Sequence, residues 1–83
     1  MIDTKFFRSV VGARIRYLRA LRRMNQCKLA DATGIDASTL SKIENGAHGI
    51  DSQVAVLVSG ALSVPLDELL AVPGDSDHAS MQS

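Results

Sequence analysis

Residues 26–45 read Gln-Cys-Lys-Leu-Ala-Asp-Ala-Thr-Gly-Ile-Asp-Ala-Ser-Thr-Leu-Ser-Lys-Ile-Glu-Asn. Two short helices joined by one tight turn account for each feature of this stretch. Gln26 to Thr33 can form a helix, with Asn25 as its N-cap. Leu29 points inward. Ala30 lets a neighbouring helix come close, because a larger side chain would hold the two apart. Gly34 follows the last helical residue, where a departing chain takes a left-handed conformation that glycine adopts without steric penalty. Ile35 plugs the turn. Asp36 then caps a second helix through the amide of Ser38 or Thr39. Leu40 and Ile43, three apart, face the same core as Leu29.

What remains outward on the second helix is Ala37, Ser38, Thr39, Ser41, Lys42 and, at its end, Asn45. These side chains are small or polar, and one is cationic. A helix about 10–12 Å across with such a face fits the DNA major groove, which is about 12 Å wide. This is the helix-turn-helix arrangement, with the second helix as reader. The stretch resembles the phage repressor and Cro type of helix-turn-helix, also called the XRE family. Gln26, Leu29-Ala30, Gly34-Ile35, Leu40, Ile43-Glu44 and Gly46 carry the resemblance. It extends upstream through Ile15, Leu18 and Arg19, and downstream through Ala61-Leu62, Leu66 and Glu68-Leu69-Leu70, so it covers residues 10–71. It implies an all-α fold, a compact five-helix bundle of the phage-repressor DNA-binding-domain type.

The chain has 83 residues, room for one domain, and 46% of them are apolar, enough for one small core. Its formal net charge is zero, which looks wrong for a DNA binder until the charges are located. Residues 1–23 carry Lys5, Arg8, Arg14, Arg16, Arg19, Arg22 and Arg23 against Asp3, and the acids fall after them. Such asymmetry suggests a polyanion-facing and a polyanion-avoiding side, although a solvated basic helix face would give the same count. The single cysteine, Cys27, excludes an internal disulfide and fits a reducing compartment. The longest unbroken apolar run, Val54 to Val58, is too short to span a bilayer. The expectation is a cytoplasmic protein, bacterial or encoded by a phage or plasmid and associated with the nucleoid, with no membrane partner.

Taken in order, Phe7, Val11, Ile15 and Leu18 recur at helical spacing. Val10, Tyr17, Leu21 and Met24 are expected to widen that stripe, with arginines on the other face. One helix over 5–22 follows, capped by Asp3 or Thr4 and bent at Gly12, since an internal glycine weakens a helix. Helices over 26–33 and 37–45 form the reader unit. The loop after Asn45 holds His48, which lacks the neighbours a metal ligand needs. It also lacks the Lys or Arg that relatives often place there. Asp51 or Ser52 caps a helix over 52–62. Val54 to Val58 could pass for a buried strand, but no second strand exists to pair with it. Pro65 suits the first turn of a last helix over 65–71, whose Leu66, Leu69 and Leu70 complete the core or face a second subunit. The domain is expected to span 1–72. Residues 73–83 lack periodicity and read as a disordered tail.

The site follows from these placements. Base reading falls to Ala37, Ser38, Thr39 and Lys42. Lys42 lies one turn beyond Ser38 and could reach guanine O6 and N7, or else bind phosphate. Gln26, at a helix N-terminus, is expected to donate to a phosphate. Ser41, Lys28 and Arg14 add to phosphate binding, although Lys28 reads equally as a tolerated surface lysine. The resemblance implies a phosphate contact for Asn45 and a structural ion pair between Arg19 and Glu44. Arg23 stands where the family usually has glycine, so it either strains the helix end or reaches phosphate. No catalytic set, metal cluster or phosphate-cradling loop is visible, so no enzyme activity, cofactor or metal is expected. The leading expectation is a transcriptional regulator, a repressor acting as a homodimer on a palindromic double-stranded DNA operator. An antitoxin that also regulates its own synthesis, or an interaction module that does not bind DNA, are the alternatives.

Overall fold

The computed structural model describes residues 3–72, and the tail expected over 73–83 lies outside the described residues. Asp3 accepts a hydrogen bond from the Lys5 amide and opens α1, Thr4–Leu21. Asn25 caps α2, Gln26–Thr33, by accepting from the Lys28 amide at 2.8 Å. Asp36 caps α3, Ala37–Glu44, through the Ser38 amide at 3.1 Å. Asp51 caps α4, Ser52–Leu62, through the Val54 amide at 2.8 Å. Four short polar residues thus satisfy donors that a helix N-terminus leaves open. The last helix, α5, is a single turn, Leu66–Leu69, with Pro65 standing just before it and not inside its first turn. Residues 54–58 are helical, so the β-branched run buries Ala55 and Val58 within α4.

The core joins Val11, Ile15 and Leu18 of α1 to Leu29 of α2, Leu40 and Ile43 of α3, Val58 and Leu62 of α4, and Leu69 of α5. Helix α1 packs on α3 and α5, α2 on α3 and α4, and α4 on α5. Thr33 is buried, yet its hydroxyl donates to the Leu29 carbonyl and accepts from the Ile35 amide, which knits α2 to the turn. Every helix described is too short or too polar to cross a membrane.

Two expectations about α1 change. Gly12 does not bend α1, which runs unbroken through it. A Cβ there would stand 2.4 Å from the Ile43 carbonyl oxygen and 2.6 Å from that of Glu44, so the glycine lets α1 and the end of α3 touch. Tyr17 and Leu21 do not widen the core stripe: they are 63% and 59% exposed. The face of α1 opposite the core is therefore apolar, and the cations lie along its edges. In α5 Leu69 is buried in the core, whereas Leu66, one turn earlier, is left exposed.

Candidate nucleic-acid interface

Helix α3 divides cleanly between its two sides. Leu40, Ile43 and Glu44 are buried; Ala37, Ser38 and Lys42 are exposed, with Thr39 and Ser41 half-buried between them and Asn45 exposed at its end. The turn before it holds its angle. Gly34 has φ of +77° and donates its amide to the Ala30 carbonyl at 2.8 Å, closing α2 so that the chain can reverse within two residues.

A three-helix clamp sits under α3. Glu44, 2% exposed, accepts from Arg19 Nε at 2.7 Å through one oxygen and from Arg19 Nη2 at 2.8 Å through the other. The second oxygen also accepts from Gln26 Nε2 at 3.1 Å. Arg19 Nη1 donates to the Met24 carbonyl at 3.1 Å. This fork-to-fork geometry is the strongest form of the pair. Bonding to Glu44 raises the Arg19 guanidinium above its ordinary pKa, against partial burial that would lower it. The clamp fixes α1, α2 and α3 to one another and aims the Gln26 amide, which keeps one N–H free for a ligand.

The remaining expected phosphate contacts separate. Lys28 is exposed in the first turn of α2. Arg14 is not a free cation: its Nη1 donates to the carbonyls of Glu68, at 3.0 Å, and of Leu69 and Ala71. It closes the C-terminal end of α5, whose last carbonyls have no helical partner. Arg8, which no spacing singled out, lies beside Gly49 in the loop after α3; a Cβ on that glycine would meet Arg8 Nε at 3.2 Å. The cation that the loop lacks in sequence is thus supplied in space from α1. Nothing local could have revealed it, since the two residues meet only after folding.

At the start of α3 a carboxylate also matters. The Ser38 hydroxyl donates to Asp36, and this bond, together with those from the Ser38 and Thr39 amides, holds the Asp36 carboxyl below the ordinary range. The Ser38 oxygen is left with its lone pairs outward. The outward face of α3 therefore offers a methyl group, acceptor and donor hydroxyls and one ammonium group, on a helix held rigidly by its neighbours.

A model of the family described as helix-turn-helix matches residues 15–69, more than half of the chain. The chain is also 36% identical over 67 residues to an uncharacterized HTH-type transcriptional regulator, RghRB, of Bacillus subtilis (strain 168). That alignment covers 80% of this chain and 48% of the relative, so the chain spans about half of the relative's length. With the capped α3 and the clamp beneath it, these matches place the chain in the XRE-type helix-turn-helix family of DNA-binding transcriptional regulators.

Proposed function

We propose that the chain is a sequence-specific repressor that sets α3 in the major groove of a palindromic operator as a homodimer. The observation that carries this reading is the division of α3: a small, polar, exposed side on a helix whose other side is locked by the core and by Glu44. Lys42 reads guanine through O6 and N7, and Ala37 touches a thymine methyl. Ser38, its proton donated to Asp36, accepts from the amino group of adenine or cytosine. Thr39 adds a contact of either sense. Gln26, Lys28, Ser41 and Asn45 hold phosphates, and Arg8 does so beside the loop.

One such helix reads only a few base pairs, and a dyad doubles that. Helix α4 contains no charged residue and leaves Val56 and Leu57 exposed, with Leu66 of α5 also uncovered. A neutral apolar face lets two copies meet without like-charge repulsion, and half-sites about 10 base pairs apart follow. Selection of bound duplexes from a random pool at two salt concentrations tests the whole reading. Wild type should yield a palindrome, with affinity falling steeply as salt rises. Lys42→Ala should relax one base position per half-site by about 1–3 kcal/mol. Uniform weakening over all sequences would reduce Lys42 to a phosphate contact, and indifference to every duplex at low salt would end the reading.

A further inference from the structure

The solvent face of α1 exposes Phe6, Tyr17 and Leu21 and takes no part in the proposed DNA contacts. Phe6, Val10, Ala13, Tyr17 and Ala20 follow one another at alternating steps of four and three, the spacing of a seam between two helices. All but Val10, which is half-buried, are exposed; Leu21 adjoins them. The chain has two phenylalanines, one tyrosine and no tryptophan, so two of its three aromatic side chains stand on this face. Exposed aromatics on a rigid helix are the residues that anchor protein interfaces. The seam is narrow at Ala13 and Ala20, which lets a second helix approach closely between the aromatic and aliphatic groups.

Charge names the occupant. Arg16 is exposed along one edge of the seam, and Arg23 follows it seven residues on. Arg14, towards the other edge, is engaged with α5. Helix α1 itself contains no acidic residue. A second copy of α1 would therefore offer these arginines no acidic partner, whichever way it ran. We propose that the outward face of α1 docks an amphipathic helix of another protein, one whose apolar seam is edged with glutamate or aspartate. A bilayer surface fits less well, since Ala13 at the middle of the stripe and Ala20 at its end give little apolar depth for insertion.

Tyr17 is the chain's single tyrosine, and with no tryptophan present its emission reports on this face alone. The probe is a synthetic helix of about three heptads, free of aromatic residues, with leucine in the seam and glutamate along both edges. Added to the full chain, it should change Tyr17 emission saturably. The same peptide edged with lysine should bind at least about tenfold more weakly. Phe6→Glu and Leu21→Glu, both at exposed positions that keep Tyr17, should each weaken binding by about tenfold or more while leaving the circular dichroism melt unchanged. Val56→Glu on α4 should leave it untouched. Equal binding of both peptides, or silence towards both, would overturn the proposal. So would Tyr17 emission that tracks the chain's own concentration, which means self-association, or that responds only to phosphatidylglycerol vesicles, which means a membrane surface.

Discussion

Helices α1 and α3 cross at Gly12 and share one ion pair, yet they show solvent opposite chemistries. Each buries a single stripe. Opposite its stripe α3 carries hydroxyls, a methyl group and Lys42, whereas α1 carries Phe6, Tyr17 and Leu21. The cations of α1 are also fewer in effect than in number. Arg19 is bound to Glu44, and Arg14 is spent on the carbonyls that end α5. A charge count along a segment is therefore not the field its surface projects. What distinguishes the two helices is how many of their polar groups the fold consumes.

The sharpest way to break the union of the two helices is Glu44→Ala. It strands the Arg19 guanidinium and releases Gln26. Removing one member of a buried pair costs about 3–5 kcal/mol, and here the loss should lie near the lower figure because 17% of the Arg19 side chain remains in water. Urea unfolding should show this loss, and for a domain this small it is a large share of the total. Sequence preference should be unchanged in whatever fraction stays folded. A variant that unfolds like wild type but selects a different operator would show that Glu44 reads DNA.

Next in size is Gly12→Ala. An added methyl group 2.4 Å from the Ile43 carbonyl oxygen meets backbone, which cannot turn aside as a side chain would. Prying the helices apart should cost about 1–3 kcal/mol, as overpacking does. If glycine served only to bend α1, alanine would stabilise the helix by about 1 kcal/mol instead, so the sign of the change decides between packing and bending.

That sign was not legible in the sequence, although much around it was. The turn from α2 to α3 could be read because its determinants are local: Asn25, Gly34 and Asp36 act on amides and carbonyls two to four residues away. Leu29, Leu40 and Ile43 fell inward for the same reason, since each short helix has one apolar side. Spacing does not place Tyr17 and Leu21, because α1 is apolar on two sides and helical period alone cannot tell which of them meets the core. The bonds of Arg14 to residues 68–71 and the approach of Arg8 to Gly49 belong to contacts that exist only once the chain is folded. For the candidate interface, the reader side was open to inspection from its polarity, but the availability of each cation was not.

A smaller effect belongs to the start of α3. Asp36 has its carboxyl held low by Ser38 and Thr39, so folding favours its charged form. That contribution is fully present above the unfolded carboxyl value of about 3.8 and is lost as pH falls through the lowered native value. Asp36→Asn should therefore lower the neutral plateau of a melting-temperature profile slightly and flatten its acid limb, so that variant and wild type converge at low pH. Parallel profiles for wild type and variant would mean that the low-pH limb reports net charge and not the cap.

The smallest effect concerns how helices end. Four helix ends pass through a left-handed residue: Gly34 and Gly46 at φ of +77°, Arg23 at +54° and Ser63 at +55°. The first two carry glycine, as such an end prefers; the others do not. Both of these ends complete the same pair of closing bonds, from Arg23 and Met24 to the carbonyls of Ala20 and Arg19, and from Ser63 and Val64 to those of Gly60 and Ser59. The strain at each is about 1–2 kcal/mol, and glycine would relieve it but cost about 0.5–1 kcal/mol of extra chain freedom on folding. Arg23→Gly and Ser63→Gly should thus each stabilise the fold by a few tenths to about 1 kcal/mol. The two then part company on DNA. If the Arg23 guanidinium reaches a phosphate, Arg23→Gly lowers the slope of log affinity against log salt by about 1 per subunit, while Ser63→Gly leaves it alone. Equal slopes for the two variants would assign the arginine to strain without recompense at the interface and leave the basic edge of α1 free for a partner.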